Sequence, residues 1–268
     1  MIFGRSDILK KIAVITGASS GMGKEFAIQL NKKMRNIDEV WLIARRRDRM
    51  DEIREEINTP CVIIDEDITK ESFRTKYKKM LKQENPNVRM LVNCAGYGLT
   101  GNVEDKPEEL SVGMIDTNCR ALTSITIDTI PYIGEGGRIV NFASSAAFLP
   151  QPGFAIYAAT KSYVLSFSRA LNSELKSKNI SVTAVCPGPV NTDFFRIADD
   201  GIKSVRPWYK DYFMAAAPDV VRQALSDAAK RKEISVYGKS MNMFFVLTKI
   251  IPHSLIIKIM TKLQRTVK

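Results

Sequence analysis

A short apolar run, Ile12-Ala-Val-Ile15, leads into Thr16-Gly-Ala-Ser-Ser-Gly-Met-Gly23 and then into a helical pattern that lasts to Met34. Strand, glycine turn and helix in that order leave few folds open. Gly17, Gly21 and Gly23 let the backbone turn sharply and come close to a bound group. The helix behind them offers free N–H groups and the positive end of its dipole, which suits an anion such as a pyrophosphate. The spacing Gly-x-x-x-Gly-x-Gly differs from the commoner dinucleotide fingerprint, but its place at a first strand–helix step points to the same chemistry. Ser19, Ser20 and Met22 fill the same turn and are candidates to face that ligand.

The rest of the chain repeats the alternation. Further strands are expected over 39–44, 60–64, 90–93, 138–142, 180–185 and 233–237. Helices are expected over 48–57, 70–84, 114–130 and 157–178, and from Pro218 onward. Apolar strands alternating with helices predict an α/β fold, a single Rossmann-type doubly wound domain. Its seven-stranded parallel sheet would carry helices on both faces, and 268 residues suffice for that core. We place this domain at 1–238, with an irregular aromatic segment at 193–217 (Phe194, Phe195, Trp208, Tyr209 and Phe213) as a lid. Residues 239–268 form a C-terminal extension.

Lys and Arg number 40 against 29 Asp and Glu, a formal charge of +11, which favours anionic partners. Nucleic acid is not expected, because no recognition motif accompanies the charge. The four cysteines are scattered, so neither a disulfide framework nor a zinc site is expected, and no metal. The charged start does not read as a signal peptide, and a cytoplasmic protein is expected. His253 is the single histidine, which leaves little room for a histidine base.

After the second strand the chain reads Ala44-Arg45-Arg46-Arg47, with no carboxylate to bond a ribose 2′-hydroxyl. Cations there, Arg45 foremost and Arg46 beside it, favour a 2′-phosphate, hence NADP over NAD and NADPH over NADH. Tyr157 and Lys161 are four apart and share one helix face. An ammonium beside a phenol lowers its ordinary pKa of ~10 and suits it to acid/base work on an alcohol or ketone.

These motifs, in this order, resemble the short-chain dehydrogenase/reductase family over Lys11 to Gly238. Asp67-Ile68-Thr69 is similar to the segment that holds the adenine. Asn93-Cys94-Ala95-Gly96 is similar to the family's Asn-Asn-Ala-Gly, with a cysteine in place of the second asparagine. Ser144 lies thirteen positions before Tyr157, the family's usual spacing, although Ser145 is adjacent. Pro187-Gly-Pro-Val-Asn-Thr192 resembles the turn at the nicotinamide end, through Pro187, Gly188, Val190 and Thr192. The resemblance implies that Tyr157 is the acid/base and that Lys161 holds the ribose. It further implies that Ser144 bonds the substrate oxygen and that Asn118 holds a proton-relay water. It also implies a homodimer or homotetramer.

Phe148, Leu149, Gln151, Phe154 and Ile156 lie where the family lines its substrate pocket, so the carbonyl or alcohol substrate is expected to be apolar or amphipathic. In the extension, Met241 to Ile251 is nearly continuous apolar sequence; beyond Pro252, Leu255, Ile259, Leu263 and Val267 recur among lysines as a basic amphipathic helix. It has three readings: packing on the body or a second subunit, a lid over the cleft, or peripheral membrane contact. Two non-enzyme readings also stand, a redox sensor that binds NADP without turnover and a membrane-surface interaction protein.

Overall fold

In the computed structural model, which describes residues 9–34, 36–192 and 214–266, β1 (Lys11–Thr16) is buried from Ile12 onward. Its side chains alternate between two cores, as a strand covered on both faces requires. Ala13 and Ile15 join Phe26, Leu30 and Val221 on one side. Ile12 and Val14 join Trp41, Phe73, Tyr77 and Leu171 on the other.

The remaining strands of the sheet are β2 (Glu39–Ile43), β3 (Cys61–Ile64), β4 (Asn87–Asn93), β5 (Ile133–Phe142), β6 (Ser181–Val185) and β9 (Ile234–Ser235). All pair in parallel, in the order β3-β2-β1-β4-β5-β6-β9. The order reverses between β1 and β4. In open parallel sheets that switch point opens a crevice beyond the strand ends. The seven-stranded doubly wound expectation therefore holds. The last strand is shorter than expected, at two residues. Val190–Asn191 (β7) and Ala215–Ala216 (β8) form a separate two-stranded ribbon.

One face carries α1 (Gly21–Lys33), α2 (Arg47–Glu56) and α7 (Ala217–Ala229); the other carries α3 (Glu71–Glu84), α5 (Leu122–Thr129) and α6 (Ala155–Glu174), with α4 (Glu108–Ile115) packed on α6. The helix expected over 114–130 begins earlier, at Glu108, and Asp116–Ala121 inside it is π-helical. Two further helices follow the sheet, α8 (Lys239–Ile250) and α9 (His253–Thr266). The proposed lid, with its five aromatic residues, lies outside the described residues up to 213.

Candidate active site

The glycine turn closes the space between the ends of β1 and β4. Gly17 has φ +67°, and a Cβ there would stand 2.7 Å from the backbone of Ala95. A Cβ on Gly23 would stand 2.2 Å from the Gly17 carbonyl oxygen. Only glycine fits either position. The Thr16 hydroxyl accepts from the N–H groups of Cys94 and Ala95 at 3.1 and 3.2 Å, which ties the two strand ends together. Ser20 caps α1 without a side-chain hydrogen bond, and no acid occupies the first turn. The first amides of that helix thus meet no competing carboxylate. Thr192 covers the turn, 3.4 Å from where a Cβ of Gly21 would be. These features fit the pyrophosphate of a dinucleotide.

At the end of β2 the structure separates the two candidate arginines. The Arg46 guanidinium donates to Ser20 Oγ at 2.7 Å and to Ser19 Oγ at 3.2 Å, so it lies directly against the phosphate turn. Arg45 is exposed and makes no such bond; its charge acts on Asp67 and Tyr97. Asp67 Oδ1 accepts from the N–H and the hydroxyl of Thr69. Burial pushes the Asp67 carboxyl up, but the Thr69 bonds, Arg45 and Lys70 outweigh it and hold it below its usual range.

Asn93 turns its carboxamide into the core. Its Nδ2 donates to Thr126 Oγ1 and to Asn141 Oδ1, both at 2.9 Å, and Asn141 passes the chain to Ser168. Asn93 therefore braces the ends of β4 and β5 and does not line the cleft. Cys94 and Gly96, on the same segment, do.

Ser144, Tyr157 and Lys161 meet at the floor of that cleft, each less than a tenth exposed. The Ser144 hydroxyl, and not that of its neighbour Ser145, acts on the Tyr157 phenol, lowering its pKa. Ser144 Oγ also accepts from the Ala146 N–H, which fixes its rotamer. The Lys161 ammonium donates to the Phe142 carbonyl oxygen at 2.8 Å and lies 5.7 Å from the Tyr157 ring centroid. Asn118 sits in the π-helical turn, a distortion frequent at functional sites. It is fully buried, accepting from Tyr97 N and donating to Tyr97 O and Thr160 Oγ1. Asn118 Oδ1 and Lys161 Nζ converge on Gly96, whose absent Cβ would lie 2.8 and 3.3 Å from them.

Burial governs the electrostatics. It pushes the Tyr157 phenol up to about 12, against the lowering effect of the Ser144 hydroxyl. It pulls the Lys161 ammonium down to about 8, with the Cys94, Cys119 and Cys186 thiols acting the other way. The expected lowering of the tyrosine by the lysine is not seen in this arrangement. The ammonium is directed to Phe142, and desolvation of the phenol dominates.

The cleft, about 560 Å³, rises from this floor between the Pro187–Thr192 turn and α8. Gln151 and Phe154 line it, with Phe154 stacked on Tyr157 at 4.3 Å. Phe148 and Leu149 do not; both are buried, and Phe148 packs against Phe245 of α8 at 4.7 Å. Met241, Met243, Phe244 and Leu247 of α8 complete the wall. The extension is thus both packed on the body and part of the site. From sequence these four belong to an apolar run for which a lid over the cleft is one of three readings, beside packing and membrane contact.

The model of the short chain dehydrogenase family matches residues 11–202, from the start of β1 to beyond the Pro187–Thr192 turn. The chain belongs to the short-chain dehydrogenases. An uncharacterized oxidoreductase of Staphylococcus epidermidis is 32% identical to this dehydrogenase over 196 residues, 72% of this chain and 84% of its own. A short-chain dehydrogenase from Sphingobium yanoikuyae, solved in complex with NADPH, is 28% identical and superposes with a TM-score of 0.73, covering 84% of this chain and 87% of that one. A bulky-bulky ketone specific alcohol dehydrogenase from Comamonas testosteroni is 25% identical with a TM-score of 0.70, covering 89% and 92%. This dehydrogenase is accordingly an NAD(P)-dependent oxidoreductase of CH–OH groups.

Proposed function

We propose that this short-chain dehydrogenase uses NADP(H) in preference to NAD(H) to interconvert a secondary alcohol and a ketone with bulky apolar substituents. The observation that carries the reading is the convergence of Ser144, Tyr157 and Lys161, all buried, at the floor of an apolar cleft. The nicotinamide supplies or accepts the hydride when bound. A phenol with a pKa near 12 is protonated at neutral pH and has a proton to give to a carbonyl oxygen. Tyr157 is then the acid, or the base in reverse, and Ser144 bonds the same oxygen as its charge develops. Lys161 holds the nicotinamide ribose. Asn118, converging with Lys161 on Gly96, holds a water that relays protons from Lys161 to solvent.

NADP preference is supported by Arg46, which the Ser19 and Ser20 hydroxyls aim at the turn, with Arg45 adding charge nearby. Gly17, Ser19, Ser20, Gly21, Met22 and Gly23 cradle the pyrophosphate, Asp67 and Ile68 the adenine, and Ala95 and Gly96 the ribose side. Pro187, Gly188, Val190 and Thr192 face the nicotinamide end. The apolar substrate class is supported by Phe154 and the α8 side chains, and agrees with the name of the Comamonas testosteroni relative. Initial rates with a bulky and a small polar ketone, each with NADPH and NADH, test both parts. Preference for the small polar ketone or for NADH would reject the corresponding part.

A homodimer or homotetramer belongs to the same reading. Leu110, Val112 and Ile115 of α4, Ile127 of α5 and Tyr163 of α6 are all over 40% exposed, apolar side chains that a second subunit would cover. Light scattering that returned a monomer would exclude it. Among the described residues no helix is long and apolar enough to cross a membrane. Peripheral contact through 239–268 is the membrane interaction consistent with the proposal.

A further inference from the structure

Both sides of α8 are apolar. Its inner side, with Phe244 and Phe245, packs on Phe148 and closes the cleft. A surface helix packed on one side ordinarily turns polar residues outward. Here Met243, Val246 and Ile250 point outward, three and four apart on one stripe, and are 63%, 52% and 73% exposed. Leu255, at the start of α9, is 50% exposed and extends the apolar surface. Met243 and Leu247 also line the cleft. The outer stripe and the cleft wall are therefore one continuous apolar surface.

The charged side chains of residues 239–266 have one sign, all Lys or Arg. Lys239, Lys249, Lys258 and Lys262 are exposed, and no Asp or Glu follows Glu233 in the sequence. The Lys249 ammonium lies 4.1 Å from the Phe245 ring centroid, so its stem follows the apolar surface while its charge stays at the edge. Bulky apolar side chains rimmed by cations are complementary to an anionic phospholipid surface, where the side chains enter the acyl boundary and the cations meet the headgroups. A second copy of the same face would bring like charges together.

We propose that the outer side of α8 and the start of α9 dock on an anionic phospholipid surface, and that the apolar ketone enters the cleft from the lipid. The second half rests on the reading of the site as a reductase of apolar carbonyl compounds. Docking places the cleft rim, at Met243 and Leu247, against the medium in which such a substrate is concentrated.

The test uses the full chain with vesicles of phosphatidylcholine alone or mixed with phosphatidylglycerol. It also uses the double variant Val246→Asp/Ile250→Asp, since neither residue lines the cleft. The chain is expected to float with the anionic vesicles and not with the neutral ones. The double variant should bind about 100-fold more weakly, from loss of two buried aliphatic side chains. Lys258→Gln or Lys262→Gln should each weaken binding about 5-fold. Turnover of a water-soluble ketone should be unchanged in the double variant, while turnover of a long-chain ketone dissolved in the vesicles falls with binding. Docking is overturned if the chain ignores anionic vesicles or the double variant floats equally well. It is also overturned if the double variant splits an oligomer that does not bind lipid. Failure to turn over the soluble ketone would reject the reductase reading, while flotation still reports docking by itself.

Discussion

The Lys161 ammonium is hydrogen-bonded to the Phe142 carbonyl oxygen at 2.8 Å. That bond attaches α6 to the end of β5, two residues before Ser144. It also holds a cation in a site where burial lowers its pKa to about 8 from 10.5. The lysine thus links the two segments that carry Ser144 and Tyr157, at a cost in desolvation that a ribose hydroxyl would help to offset.

The stability of the free enzyme should register that cost. Between about 8 and 10.5 the unfolded chain holds the proton that folded Lys161 has lost, so this group makes stability rise with pH over that window. Below about 8 the penalty is present in full. Lys161→Met should therefore be more stable than the parent at pH 7, by about 1–3 kcal/mol. The gain should shrink toward pH 10.5, with activity lost throughout. Denaturant titrations across pH measure it; an unchanged difference at every pH would refute the titration.

Cofactor choice should rest on Arg46. Arg46→Ala removes charge-assisted bonds beside the turn and should weaken NADPH about 10–100-fold while changing NADH by less than about 3-fold. Arg45→Ala, at an exposed position, should have the smaller effect. Fluorescence titration with both cofactors decides this, and equal losses for NADPH and NADH in Arg46→Ala would count against a 2′-phosphate contact.

Gly96 should not tolerate a methyl group. A Cβ 2.8 Å from Asn118 Oδ1 and 3.3 Å from Lys161 Nζ must displace one of them. Gly96→Ala is expected to cost about 1–3 kcal/mol of stability. The same change should lower kcat more than it raises the substrate KM. A variant with parental kcat would show that the convergence of Asn118 and Lys161 has no part in turnover.

Much of this was legible in the sequence because it follows from local rules. Burial on both faces makes most of β1 and β2 continuous apolar runs, and the glycine turn marks the first strand–helix step. What was not legible depends on long-range contact. Arg45, next to the strand end, reads as the phosphate ligand from sequence; only the path of the chain after β2 turns Arg46 toward Ser19 and Ser20. Asn93 sits in the motif, yet its side chain is recruited by Asn141 and Thr126, both distant in sequence. The π-helical turn around Asn118 leaves no periodic signal in six residues. The apolar run Met241–Leu247 reads equally as core or lid until its contact with Phe148 is known. The tyrosine–lysine spacing correctly paired the two residues, but it could not weigh burial against charge at Tyr157.

The central claim, that Tyr157 exchanges the proton while hydride moves, is tested most directly with Tyr157→Phe, assayed for NADPH binding and for single-turnover ketone reduction at pH 7. The ring packing against Phe154 is retained, so NADPH affinity should stay within about 3-fold, while the rate of reduction should fall by about 100- to 10,000-fold. Reduction at the parental rate with NADPH fully bound would contradict the account.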